Sequence, residues 1–341
     1  MTRHLRTLVA LLPIALTGAC SEPEQVQTLE GFAQGTTYHV SFWAPTPVDL
    51  PALRQAVGDE LGRIDEAMSG YRQDSAIQQF NADQDVAPHR LGRDIVMLVQ
   101  QARTIAQASG GCYDLTVKPL FDLWGFNDDR FSPPASVAIS TTLVDTGMDK
   151  VESVGDDTLR KTRPGVQVDL SSIAQGYSAG RVAEVLEQQG IRNYLVEIGG
   201  ELQTRGRKPG GQAWRVAIER PLPGERTVEK IIAIDTENPL AVVTSGTYRH
   251  FFDADGKRYS HILDARTGRP VEHDTVSVTV LYPEPGAADA WATALLCLGR
   301  EQGLKVADNQ GVPALFIDQV GDRLTEASSQ ALLNLQGVQI E

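Results

Sequence analysis

The chain has 341 residues, a hydrophobic fraction of 41% and a formal net charge of −13. That length and apolar content support a sizeable core in one or two domains. The acidic balance excludes the broad basic surface that non-specific nucleic-acid binding requires, while leaving small-molecule ligands open.

The first segment is a targeting signal. Arg3 and Arg6 precede an apolar run, Leu8 to Leu16, which is too short to span a bilayer and reads as a signal peptide over residues 1–19. Thr17-Gly18-Ala19-Cys20 resembles a lipobox, with Thr17 where Leu is usual. Lipidation at Cys20 is therefore expected, with acyl chains holding the protein on the periplasmic side of a cell membrane. Ser21 is not Asp, so no inner-membrane retention signal is evident and the outer membrane stays open. The alternative is a plain secretory signal with an incidental Cys. Residues 20–30 read as a polar tether and 31–341 as one compact body.

Along the body, Tyr38, Val40 and Phe42 alternate with polar neighbours, predicting a strand to Trp43. Leu53, Val57, Leu61, Ile64 and Met68 share one face of a predicted helix. Asp94 to Ala108 predicts a second, ended by Gly110-Gly111. Val166 to Leu170 reads as a strand, Ile173 to Gln189 as a helix, and Asn193 to Ile198 as a strand closed by Gly199-Gly200. Further strands are expected at 214–218, 231–234, 240–244, 258–263, 276–282 and 314–317, with a helix at 287–298. Strands outnumber helices without regular alternation, and neither GxGxxG nor GxxxxGK[ST] occurs. The fold class is therefore α+β rather than doubly wound.

Five segments could carry chemistry. Asp289 and Thr293 lie four apart in Ala288-Asp289-Ala290-Trp291-Ala292-Thr293, on one helix face, and offer hard oxygen ligands suited to Mg²⁺; helix capping by Asp and packing by Thr are the bland reading. His261, in Ser260-His261-Ile262-Leu263-Asp264, has a side chain able to act as a base near neutral pH, although a strand-end His is more often structural. Asp169-Leu170-Ser171-Ser172 feeds a helix start that favours an anion or serves as an ordinary cap. Gly110-Gly111-Cys112-Tyr113-Asp114-Leu115 offers an aromatic face to a planar ring system, or reads as a buried strand and helix. Gly35-Thr36-Thr37-Tyr38 and Ser69-Gly70-Tyr71 each put an aromatic beside small hydroxyl residues. Cys112 and Cys297 are expected to be free thiols.

Taken in order and spacing, these segments resemble the FAD:protein FMN transferase (ApbE) family, from about Gly35 to Leu298. The resemblance implies a T-fold-like architecture of antiparallel sheets with packed helices and FAD in a central cleft. It implies cleavage of FAD, transfer of FMN to a Thr or Ser of extracytoplasmic flavoproteins, and release of AMP, with Mg²⁺ required. It places the metal on Ser172, Asp289 and Thr293, FAD on Gln34, Tyr71, Tyr113, Asp114, Leu115, Asp169, Gln175 and Ile262, and the catalytic base at His261. By family, the inner membrane is the expected site of anchoring. Asp264 is one neighbour that would hold the His261 tautomer. The chain departs from the family pattern at Gln34 (often Met), Gln175 (commonly Lys or Glu) and Ala265 (usually Pro), and Ser172 replaces Thr while keeping the hydroxyl. Transfer to water, giving FMN and AMP, would use the same site. A non-catalytic flavin-binding lipoprotein or a solute-binding lipoprotein are readings of another class, the last requiring two similar lobes that the pattern does not show.

Overall fold

The computed structural model describes residues 25–127, 131–222, 224, 227–254 and 256–341. The signal segment and Cys20 lie outside them. No helix among the described residues is long and apolar enough to cross a membrane.

Eight strands form one sheet: β1 (Gln27–Ala33), β2 (Thr36–Trp43), β3 (Asn193–Ile198), β4 (Glu201–Gly206), β5 (Thr236–Gly246), β6 (Thr275–Tyr282), β7 (Ala314–Val320) and β8 (Arg323–Ser328). Their spatial order is their chain order, and every neighbouring pair is antiparallel. Gln27 to Glu30, assigned to a tether by its polarity, belongs to β1. As the edge strand it buries only Leu29, so alternation is nearly invisible there.

The helices are insertions into this meander. Helices α1 (Leu50–Met68), α2 (Arg93–Ala108) and α3 (Ser171–Gln188) lie between β2 and β3, and α4 (Pro285–Gln310) lies between β6 and β7. Helix α4 runs twelve residues beyond the expected Leu298 end. It continues through a break at Gly299, whose φ of 69° a β-carbon would oppose.

Both faces of the sheet are covered, so residues alternate between two cores. Ala241, Val243, Val278, Val280 and Phe316 join the helices in one core. Leu240, Val242, Leu281 and Leu315 meet Val216, Ile218, Ile232 and Ile234 of a three-stranded sheet in another. The three-layer arrangement is the antiparallel α+β class expected.

Val166 to Leu170 is extended and largely buried but forms no ladder. Instead the Asn81 side chain satisfies Val168 on both sides, accepting from its N–H at 2.7 Å and donating to its C=O at 2.8 Å. The apolar run reports burial, which a strand and a side-chain-tethered segment share.

Candidate active site

A cleft of about 830 Å³ opens between the layers. Its walls include Gln34, Tyr71, Tyr113, Asp114, Asp169, Ser172, Gln175, His261, Ile262, Asp289 and Thr293, so eleven of the twelve expected ligand and base positions converge there. The exception is Leu115. It does not line the cleft; it is fully buried, and its carbonyl accepts the Asp169 N–H at 2.7 Å. It fixes the segment that presents Asp169.

Helices α3 and α4 meet at a glycine. A β-carbon on Gly176 would collide with the Pro285 carbonyl and lie 2.8 Å from Asp289 Cβ. The close approach lets the Gly176 N–H donate to Asp289 Oδ2 at 3.1 Å. Asp289 does not cap its helix. Glu284 does, accepting from the N–H groups of Gly286 (3.0 Å) and Ala287 (2.6 Å). Asp289 is buried, and burial pushes its carboxyl up to about 7 against the lowering effect of the Gly176 bond.

One turn on, Thr293 Oγ1 lies 3.2 Å from Ser245 Oγ. Ser171 and Ser172 begin α3 rather than cap it; the residue before the helix is Leu170, and Asp169 Oδ1 accepts the Ser171 N–H at 2.8 Å. The Ser172 hydroxyl donates to the Tyr113 hydroxyl at 3.3 Å. The set is one carboxylate and two hydroxyls, all hard oxygen donors, and so fits a small divalent cation.

His261 packs against His250. Its Nδ1 lies 2.9 Å from the His250 carbonyl oxygen, and its ring stacks on that of His250 at 5.4 Å. A carbonyl only accepts, so Nδ1 carries the proton and Nε2 keeps its lone pair. Burial pushes the imidazole down to about 4, opposed by the hydrogen bond to the His250 carbonyl. Asp264 does not hold this tautomer. Its carboxylate is taken by Arg266, through the backbone N–H at 2.9 Å and the guanidinium at 2.8 Å.

The flavin-side residues are held from behind. Tyr113 is buried, and burial keeps its phenol protonated. The Asp114 carboxylate points inward, accepting from the Thr116 N–H and hydroxyl at 2.7 and 2.5 Å and from the Met148 N–H at 2.8 Å. Only its backbone and edge are left for a ligand. Gln34 has φ of 53°, donates to the Leu61 carbonyl at 3.3 Å and accepts from Ser178 at 3.0 Å. Tyr71 is 88% exposed at the lip, a large apolar face open to solvent.

Cys112 and Cys297 are joined in a disulfide with a Cα–Cα distance of 6.0 Å, contrary to the expectation of free thiols. It forms part of the cleft wall. Ser245, in the string Thr244-Ser245-Gly246 that also matches the family pattern, lines the cleft, as do Glu201 and His250, which were not singled out from sequence. The spacing Asp289, Thr293, Cys297 is itself a legible signal, since it repeats every fourth residue along one helix face.

The ApbE family model matches residues 34–316. The chain belongs to the ApbE family. It is 37% identical over 327 residues to an FAD:protein FMN transferase of Vibrio cholerae, covering 95% of this chain and 97% of the relative. It is 35% identical over 330 residues to that of Escherichia coli, covering 93% of each. Among solved structures, the flavin transferase ApbE from Vibrio cholerae superposes with a TM-score of 0.83 at 36% identity, over 91% of this chain and 99% of that one. The apo form of Pseudomonas stutzeri flavinyl transferase ApbE gives 0.83 at 35% identity, over 92% and 98%. Both solved structures share the overall architecture of this chain.

Proposed function

We infer that this ApbE chain is a transferase that cleaves FAD and attaches FMN to a hydroxyl of a protein acceptor. The observation that carries the reading is convergence. A neutral, carbonyl-oriented imidazole, an oxygen-donor set and a buried phenol meet in one cleft whose volume suits a large cofactor-like substrate.

In this reading His261 Nε2 takes the proton of an acceptor Thr or Ser hydroxyl. The alkoxide oxygen forms a bond to the FMN phosphorus, the bridging P–O bond breaks, and its electron pair leaves on AMP. Asp289, Ser172 and Thr293 would hold Mg²⁺, which supplies charge neutralisation at the pyrophosphate. Tyr113 and Ile262 place an aromatic ring and an apolar side chain against the flavin, and Tyr71 offers its exposed ring to the outer part of the substrate. Asp169 and Gln175 line the entrance to the phosphate region.

The test is covalent flavinylation. The mature chain, FAD, Mg²⁺ and a candidate extracytoplasmic flavoprotein should yield fluorescent acceptor on a denaturing gel, with one AMP per flavin and no product in EDTA. AMP without bound flavin would replace transfer by hydrolysis; tight FAD binding without turnover would leave only a carrier.

We also propose that Cys20 is lipidated and anchors the enzyme on the periplasmic side of a membrane. The support is the targeting segment ahead of it. Cys20→Ser should move the protein from the membrane to the soluble fraction; persistence of the variant in the membrane fraction would contradict the anchor.

A further inference from the structure

One half-buried acid has no part in the chemistry above. Glu201 opens β4 directly after the Gly199-Gly200 turn and lines the same cleft as Asp289 and Ser172. Its Oε2 is closed to solvent and has no hydrogen-bond partner among the described residues. Glu197, across the turn, differs: its oxygens take the Gly200 N–H at 2.7 Å and His39 Nδ1 at 2.7 Å. A buried acceptor without a partner is unfavourable, so an orphaned carboxylate oxygen in a cleft wall asks for a partner that arrives with the ligand.

The surroundings say which kind. Strand β4, which Glu201 opens, packs against both α3 and α4, the helices that carry Ser172, Asp289 and Thr293. Among the described residues, the two cations lining the cleft are both engaged: Arg249 is ion-paired with Glu219 and rests against the Tyr248 ring, and Lys118 is paired with Asp122. Two acids and the Ser172 and Thr293 hydroxyls thus line one cleft, an oxygen-rich wall whose neighbouring arginine is already ion-paired. A neutral donor would fill hydrogen-bond sites without offsetting charge, whereas a divalent cation would do both for the two carboxylates.

We propose that Glu201 completes the divalent-cation site of the cleft, supplying a second carboxylate beside Asp289. This rests on the reading that Asp289, Ser172 and Thr293 hold a cation. It assigns the acid that ends the Glu197-Ile198-Gly199-Gly200-Glu201 turn to cation retention rather than to packing. It also explains the turn, because Gly199, at φ of 63°, packs against the Gln175 side chain and brings the start of β4 up to α3.

Mn²⁺ binding to the FAD-free protein, followed by electron paramagnetic resonance, separates the possibilities without using turnover. Wild type should bind, and Asp289→Asn should abolish binding. Glu201→Gln, of the same shape, should weaken Mn²⁺ at least tenfold while the metal-free melting temperature holds or rises. Glu201→Asp, which keeps the charge, should stay within about threefold of wild type. The Mg²⁺ concentration giving half-maximal AMP release should rise in Glu201→Gln in proportion to the lost Mn²⁺ affinity. Mn²⁺ affinity within twofold of wild type in Glu201→Gln, with Asp289→Asn still defective, overturns the inference alone. Equal losses in Glu201→Gln and Glu201→Asp also overturn it, since packing would then be the cause. Failure of wild type to bind Mn²⁺ overturns it together with the cation reading beneath it.

Discussion

At the scale of single residues, His261 is set by what surrounds it more than by what it is. An ordinary imidazole titrates near 6.5, and burial takes this one to about 4. It is therefore neutral and ready as a base through the physiological range. At saturating Mg²⁺, kcat/KM against FAD should hold as pH falls through 6.5 and decline only toward 4; a limb centred at 6.5 would contradict the buried base. The same shift has a stability consequence. Between 6.5 and 4 the unfolded chain binds a proton at this site and the native chain does not, so stability falls as pH falls across that window. His261→Asn should flatten the dependence of melting temperature on pH there. It should also cut flavin transfer by about 10²–10⁴-fold with FAD still bound. His261 as a residue type was legible in the sequence, because a base near a turn can be named from its string. Its orienting partner was not. Asp264 is three residues away and charged, and so stands out, whereas the true partner is the backbone carbonyl of His250, a group every residue has.

At the scale of elements, the site depends on how closely two helices approach. Gly176 is where α3 and α4 meet, and its missing side chain is what admits Asp289 to the α3 backbone. Gly176→Ala should cost about 1–3 kcal/mol of stability through overpacking. It should also weaken Mg²⁺-dependent turnover more than FAD binding, because the displaced group is Asp289. Unfolding in urea measures the first effect, and the Mg²⁺ dependence of AMP release set beside FAD affinity measures the second; an unchanged urea midpoint would mean the helices have slack. The disulfide belongs to the same scale. It ties the loop of Cys112, next to Tyr113, to α4 two turns beyond Asp289, over a separation of 185 residues. Paired Cys112→Ser and Cys297→Ser should lower stability by about 3 kcal/mol, read as the difference between oxidised wild type and the variant in denaturant. The helical stretches were legible because α1 and α2 each bury one regular stripe. The pairing of the cysteines was not, since each sits in a run whose apolar neighbours already explain a buried thiol. Distance in space, not pattern, decides it.

At the scale of the whole molecule, the meander gathers distant segments. The cleft takes residues from Gln34 at the β1–β2 turn to Cys297 on α4, with every strand between them in chain order. The class of fold followed from the excess of strands, but the eight-stranded order did not. Edge strands such as β1 bury too little to show alternation, and β7 and β8 pair through a turn at Gly321 that carries no apolar signal. A substrate lying in this cleft touches the main sheet, the helical layer and the small sheet, so it should stabilise the fold as one unit. FAD with Mg²⁺ at a hundred times the dissociation constant should add about 2.7 kcal/mol. In a thermal melt that gain should appear as one transition moved upward without change of shape, and EDTA should withdraw part of it. Two transitions, only one of which responds to FAD, would show that the small sheet and the helical layer fold separately. The cleft would then be assembled by its ligand instead of being built in advance by the sheet that spans it.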